Sequence, residues 1–141
     1  MHAKGPRPEP ARARPDRYSR CMDKVSLAQA FASFSDRWSP KVIGDVNDSQ
    51  VKVVKLQGEF VWHHHDAEDE LFLVVKGRLV IRFRDREIVL DPGELLVVPR
   101  GVEHQPFAAE ECEVLLVEPR STLNTGNVVN ERTVRELNRI A

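Results

Sequence analysis

The sequence has no apolar run approaching the roughly 18–20 residues that a membrane-spanning helix requires. Its N-terminus has no hydrophobic core of the kind that directs export, so a cytoplasmic protein without a membrane partner is expected. Cysteine is scarce. Cys21 and Cys112 make one possible pair, too few for a disulfide framework, and both are expected as thiols in a reducing compartment. Net charge is also nearly absent, at −1. That balance conceals an asymmetry: residues 1–21 carry six Lys and Arg against Glu9 and Asp16, or +4, which leaves −5 on the remainder. A mildly acidic body argues against a nucleic-acid groove.

At 141 residues the chain is long enough for one domain with a real core, but not for two. Residues 1–21 have four prolines, a glycine and almost no bulky apolar side chains, which predicts a disordered basic tail. A folded unit is expected over 22–141, with translation starting at Met22. Leu27, Ala30, Phe31 and Phe34 hold the i, i+3, i+4, i+7 spacing of a short amphipathic helix, capped by Asp23 or Ser26. A second short helix is expected over Asn130–Ile140, from Val134, Leu137 and Ile140 on one stripe.

Between them the pattern is β. Lys41–Val46 and Gln50–Gln57 flank the turn residues Asn47-Asp48-Ser49. Strands are expected at Glu59–His65, Glu70–Lys76, Arg78–Arg84, Glu87–Leu90, Glu94–Pro99, His104–Ala108 and Cys112–Glu118, with Gly, Pro and acidic breaks between them. Many short, frequently punctuated strands predict an all-β sandwich or barrel. Glu70–Val75 and Val114–Val117 are apolar on both faces and need a second cover. The first hairpin and helix could supply it, or a second copy of the chain, so a homodimer is expected.

The densest chemistry lies in Gly58–Gly77, GEFVWHHHDAEDELFLVVKG. Strand periodicity points His63 and His65 to one side and His64 to the other, while on a helix the first two would diverge by about 200°. After a turn, Glu70 opens the next strand, with Phe72 and Val74 on its face. Two imidazoles and a carboxylate converging in this way suit a divalent metal with coordination positions left open. A bulge would bring in His64 for His63 or His65, and Asp69 is the alternative to Glu70, although it faces away. On the same alternation Phe60 and Trp62 lie opposite the ligands, as packing or interface residues. Phe72, Val74, Phe83 and Phe107 are candidate cavity linings. A second stretch, Gly93–His104, runs a strand into a Pro-x-Gly turn and restarts with a histidine.

In these two stretches the chain resembles the cupin superfamily, and within it the small, single-domain, mannose-6-phosphate-isomerase-like members. Gly58, His63, His65, Glu70 and Gly77 follow the family's first motif, with four residues instead of five after Gly58. Gly93, Pro99, Gly101 and His104 follow the second, with Ala108 where an asparagine is common. The resemblance covers about residues 50–118. It implies a double-stranded β-helix, or jelly-roll barrel, with His63, His65, Glu70 and His104 around one divalent transition metal (Fe, Mn, Ni, Cu or Zn). An enzyme acting on a small polar metabolite by oxygenation, isomerisation or lyase chemistry is the leading expectation. A non-enzymatic binding or sensing module, its metal structural or ligand-holding, is the alternative. No general base is apparent beyond the ligands.

Overall fold

The computed structural model describes residues 22–141. The expected tail, and with it Cys21, lies outside the described residues. Helix α1 (Leu27–Ala32) is capped by Ser26, whose hydroxyl accepts a hydrogen bond from the Gln29 N–H at 3.3 Å. It is followed by β1 (Lys41–Val46), β2 (Ser49–Glu59), β3 (Glu70–Lys76), β4 (Leu79–Arg82), β5 (Glu87–Leu90), β6 (Leu95–Val98), β7 (Gln105–Pro119) and β8 (Asn138–Arg139). Asn47 turns the β1–β2 hairpin in the left-handed region, at φ 52°, which asparagine tolerates better than most residues. Among the described residues no helix is long and apolar enough to cross a membrane.

Strand β7 is the hub. One of its edges pairs with β2; the other takes β4 against Gln105–Phe107 and β3 against Glu113–Val117. β6 then pairs with β3, and β5 with β4. This pairing wraps the strands around one interior, a jelly-roll barrel. Alternate residues fill it: Val54 and Leu56 from β2, Phe72 and Val74 from β3, Leu79 and Ile81 from β4, Val114 and Leu116 from β7. Helix α1 covers the opposite face of the first hairpin, burying Ala30 and Phe31 on Ile43 and Val53. Lys52, Val53 and Val54 are consequently all buried in succession.

Three expectations need correction. Asn130–Ile140 is not a helix but a run of turns ending in β8, which pairs parallel to β1. Side chains there compete for the backbone that a helix would use. Asn130 Oδ1 accepts from the Arg132 N–H, Thr133 Oγ1 from the Asn130 N–H, and Asn124 Oδ1 from the Val134 N–H. The two expected strands either side of Glu110-Glu111 are one continuous strand, β7. Those acids are exposed and lie in a bulge of β7, where Ala108 to Cys112 takes four steps against the two from Gly58 to Leu56 on β2; against β3 the extra residue is on the partner, between Val74 and Lys76. Finally, Glu59–His65 is not a full strand: beyond Glu59 it joins the sheet at a single bridge, His63 with His104.

Phe31 is 2 % exposed in the cluster that seats α1. Phe31→Ala is expected to lower the unfolding free energy by about 3 kcal/mol, read from urea denaturation. A loss under about 1 kcal/mol would show that the helix contributes little.

Candidate metal centre

The His63–His104 bridge joins the two motif stretches through their backbones. His63 N–H donates to His104 O at 3.1 Å, and His104 N–H donates to His63 O at 2.9 Å. Gly101 adds a bond from its N–H to His65 O at 2.7 Å. Glu70 enters from the start of β3. All four expected ligands are buried, and one ligand atom from each lies within 4.8 Å of all the others. His64 instead points outward and pairs with Asp66 at 2.9 Å. Asp69 is exposed and accepts from the Arg100 N–H. Neither alternative reaches the cluster.

The rings are oriented by their outer nitrogens. His63 Nδ1 donates to Val61 O at 3.0 Å and His104 Nδ1 to Val102 O at 2.9 Å, which leaves each Nε2 as an acceptor aimed inward. Nε2 of His63, His65 and His104 are all buried, and none has a hydrogen-bond partner among the described residues. His65 Nε2 sits 2.7 Å from Glu70 Oε2, but without hydrogen-bond alignment. Three buried imidazole nitrogens left unsatisfied beside a carboxylate are costly unless something fills the space between them. A divalent cation is the species that this donor set fits.

Burial also sets the protonation states. It holds the His63 imidazole down to about 3, helped by the neighbouring His104, and His104 down to about 4. His65 is lowered for the same reason. Glu70 is pushed up to about 7 by burial, and Glu118 to about 8 by burial and then by the charge of Glu70. The imidazoles are therefore neutral at physiological pH, as metal binding requires.

Two of the four residues, His63 and Glu70, line a small cavity of about 40 Å³ together with Trp38, Phe60, Phe72, Leu116, Glu118 and Asn124. Phe72 lines it as expected and meets the His104 ring edge-on at 6.0 Å. Val74 and Phe83 belong to the barrel core, and Phe107 lies away from the cavity under the Arg82 guanidinium, at 4.2 Å. Trp62 faces outward beneath Arg84, as expected, at 3.8 Å. Phe60 is a correction: it lies among the site residues, edge-on to His63 at 5.4 Å and stacked on Trp38 at 4.7 Å. Phe60 bonds to Pro106 and His63 to His104, so three steps along one segment match two along the other. That slip brings Phe60 inside together with the histidines.

Sequence reasoning also missed a C-terminal strap. Asn127 N–H donates to His64 O at 3.1 Å, and Asn127 Oδ1 accepts from the His64 N–H at 2.9 Å. Gly126 packs so closely that a Cβ there would stand 2.2 Å from His64 O. Nothing in STLNTGN except its turn chemistry marks this role.

Comparison with known proteins agrees with the geometry. The cupin-domain family profile matches residues 51–118. A crystal structure of a cupin-2 domain-containing protein from Shewanella frigidimarina is 50% identical, with a TM-score of 0.67, covering 68% of this chain and 94% of that one. The chain belongs to the cupin superfamily. Two curated proteins of Bacillus subtilis are also similar to this cupin. The uncharacterized protein YdbB is 44% identical over 64 residues, covering 45% of this chain and 57% of that protein. Acireductone dioxygenase is 31% identical over 77 residues, covering 51% and 43%. The cupin spans about half the length of these curated relatives.

The protonation states predict how the metal-free protein responds to pH. Below the ordinary histidine value of 6.5, the unfolded chain protonates three imidazoles that the fold keeps neutral, so stability falls as pH drops. Above it, the fold retains protons on Glu70 and Glu118 that unfolded carboxyls have already shed, so stability falls as pH rises toward about 8. Metal-free stability should therefore peak near pH 6.5, and a divalent ion should reduce the alkaline decline by favouring ionised Glu70. Urea denaturation across this range checks it; a steady rise to about pH 8 without metal would contradict the assignment.

Proposed function

We propose that this cupin is a metal-dependent enzyme acting on a small polar metabolite, by oxygenation, isomerisation or lyase chemistry. The observation that carries the reading is the set of three unpartnered imidazole nitrogens converging with Glu70 at the wall of a cavity. His63, His65, Glu70 and His104 would hold one divalent transition metal, Fe, Mn, Ni, Cu or Zn, which this ligand set does not distinguish. Bound there, the ion would supply Lewis-acid or redox chemistry. The cavity's 40 Å³ is room for about three water-sized groups, which restricts the reacting part of a substrate to a small fragment. Phe60, Phe72 and Leu116 give it an apolar lining, and Trp38 stacks on Phe60 beside it. Trp38 is held there at a left-handed φ of 60° by its indole N–H to Gln57 O and its backbone N–H to Lys55 O. The likeness to acireductone dioxygenase favours oxygenation among the three chemistries.

The narrowness of the same cavity favours a second reading, a non-enzymatic module that binds or senses a small ligand over its metal. Elemental analysis of natively purified protein, followed by metabolite screening and turnover assays, separates the two. The enzymatic reading expects about one ion per chain, and turnover lost on chelation and in Glu70→Ala. A ligand bound stoichiometrically and recovered unchanged would favour sensing instead, and protein without metal would sink both.

The remaining expectations enter here as proposals. A cytoplasmic setting suits the buried Cys112 thiol, and the acidic body suits a small molecule better than nucleic acid. A second copy of the chain suits the outer face of β3 and β6. There Leu95 and Val97 are 56 % and 46 % exposed beside half-buried Leu71 and Leu73. Sedimentation at micromolar concentration should find a dimer that Leu95→Lys with Val97→Lys dissociates; a wild-type monomer would count against it.

A further inference from the structure

Behind the four ligands lies a buried row of charge. Lys52 on β2 and Glu118 on β7 are 1 % and 3 % exposed, and Lys52 Nζ donates to Glu118 Oε1 at 2.8 Å. Strand register explains why this pair meets Glu70. β3 and β7 pair with Leu71 opposite Val117, so the next rung sets Glu70 opposite Glu118. β2 and β7 pair with Gln50 opposite Glu118 and Lys52 opposite Leu116, which puts Lys52 on the diagonal from Glu118. That diagonal is within reach of a long side chain. Glu70 and Glu118 are both buried and line the same cavity beside His63. The row thus crosses three neighbouring strands on the interior side of the barrel.

Stability alone does not account for such a row. A buried ion pair is commonly no better than apolar residues of the same size, and like charges directly opposite each other weaken a sheet. The neighbours sharing this face, Val54 and Leu56 on β2 and Val114 and Leu116 on β7, are what a stable core would repeat. Geometry at the metal centre does account for it. The terminal torsion of a glutamate is broad, so nothing in Glu70's own side chain selects which way its carboxylate turns. The residue across the rung, Glu118, is placed to make that selection.

We propose that Glu118, held in place by Lys52, is a positioning residue that aims the Glu70 carboxylate at the metal centre. The inference rests on the metal-site reading above. Fixing a ligand's orientation from behind is the kind of support that tunes a site's hold on its ion.

The test uses full-length protein, calorimetric titration with Mn²⁺ and thermal unfolding of the metal-free form. Lys52→Met with Glu118→Leu removes both hydrogen-bonding partners together, so that neither is stranded. The expected result is a dissociation constant for Mn²⁺ raised about 10–100-fold, with a metal-free Tm no lower than wild type. Glu118→Gln keeps an oxygen for Lys52 and an N–H for Glu70, and should bind Mn²⁺ close to the wild-type constant. If the paired variant does not fold, the contrast of Glu118→Gln with Glu118→Ala carries the same test. Unchanged affinity with a lowered Tm in the paired variant would make the row merely structural and overturn the proposal. So would Glu118→Gln binding as weakly as Glu118→Leu or Glu118→Ala. Wild-type protein that binds no divalent ion would overturn the metal-site reading itself.

Discussion

Two backbone hydrogen bonds between His63 and His104 bring together stretches of chain that are far apart in sequence. The side chains follow from the backbone. Once the bridge is made, the two rings are 4.5 Å apart by centroid, and their Nδ1 bonds to Val61 O and Val102 O decide which nitrogen faces inward. Gly101 adds a third rung on His65 O. The ligand geometry is thus set mostly by main-chain contacts, which tolerate side-chain change elsewhere and position atoms more rigidly than loops held by side chains alone.

Around that bridge the barrel divides its interior by polarity. The region bounded by Leu79, Ile81, Val114 and Cys112 is wholly apolar and contributes the burial that holds the strands together. The other part holds the four candidate ligands, Lys52 and Glu118, all buried, with imidazoles kept neutral and carboxyls that hold their protons well above the usual range. Such groups oppose folding when left alone. The apolar part offsets that cost, and an ion placed among the three imidazole nitrogens would turn much of it into binding energy.

How much of this was legible follows from period two. The expected ligands His63, His65, Glu70 and His104 share one cluster because alternation and turn glycines are local signals that survive in the fold. Phe60 was misplaced because the slip before His63 breaks the alternation without any glycine or proline to announce it. Lys52 and Glu118 did leave a signal: each is a charged residue in the apolar phase of its strand, in step with Val54 and Leu56 or with Val114 and Leu116. Reading it needed the partner register, which a single strand does not contain. The expected C-terminal helix failed because side chains of Asn124, Asn130 and Thr133 outbid it for the backbone, and their partners lie several residues away.

The strap at Gly126 and Asn127 lies beyond the family-matched residues 51–118 and yet clamps the segment that carries His63 and His65. The segment bearing the two histidines is therefore fastened by residues that the family pattern does not include. Two cupins alike over the matched stretch can differ in how firmly that segment is held.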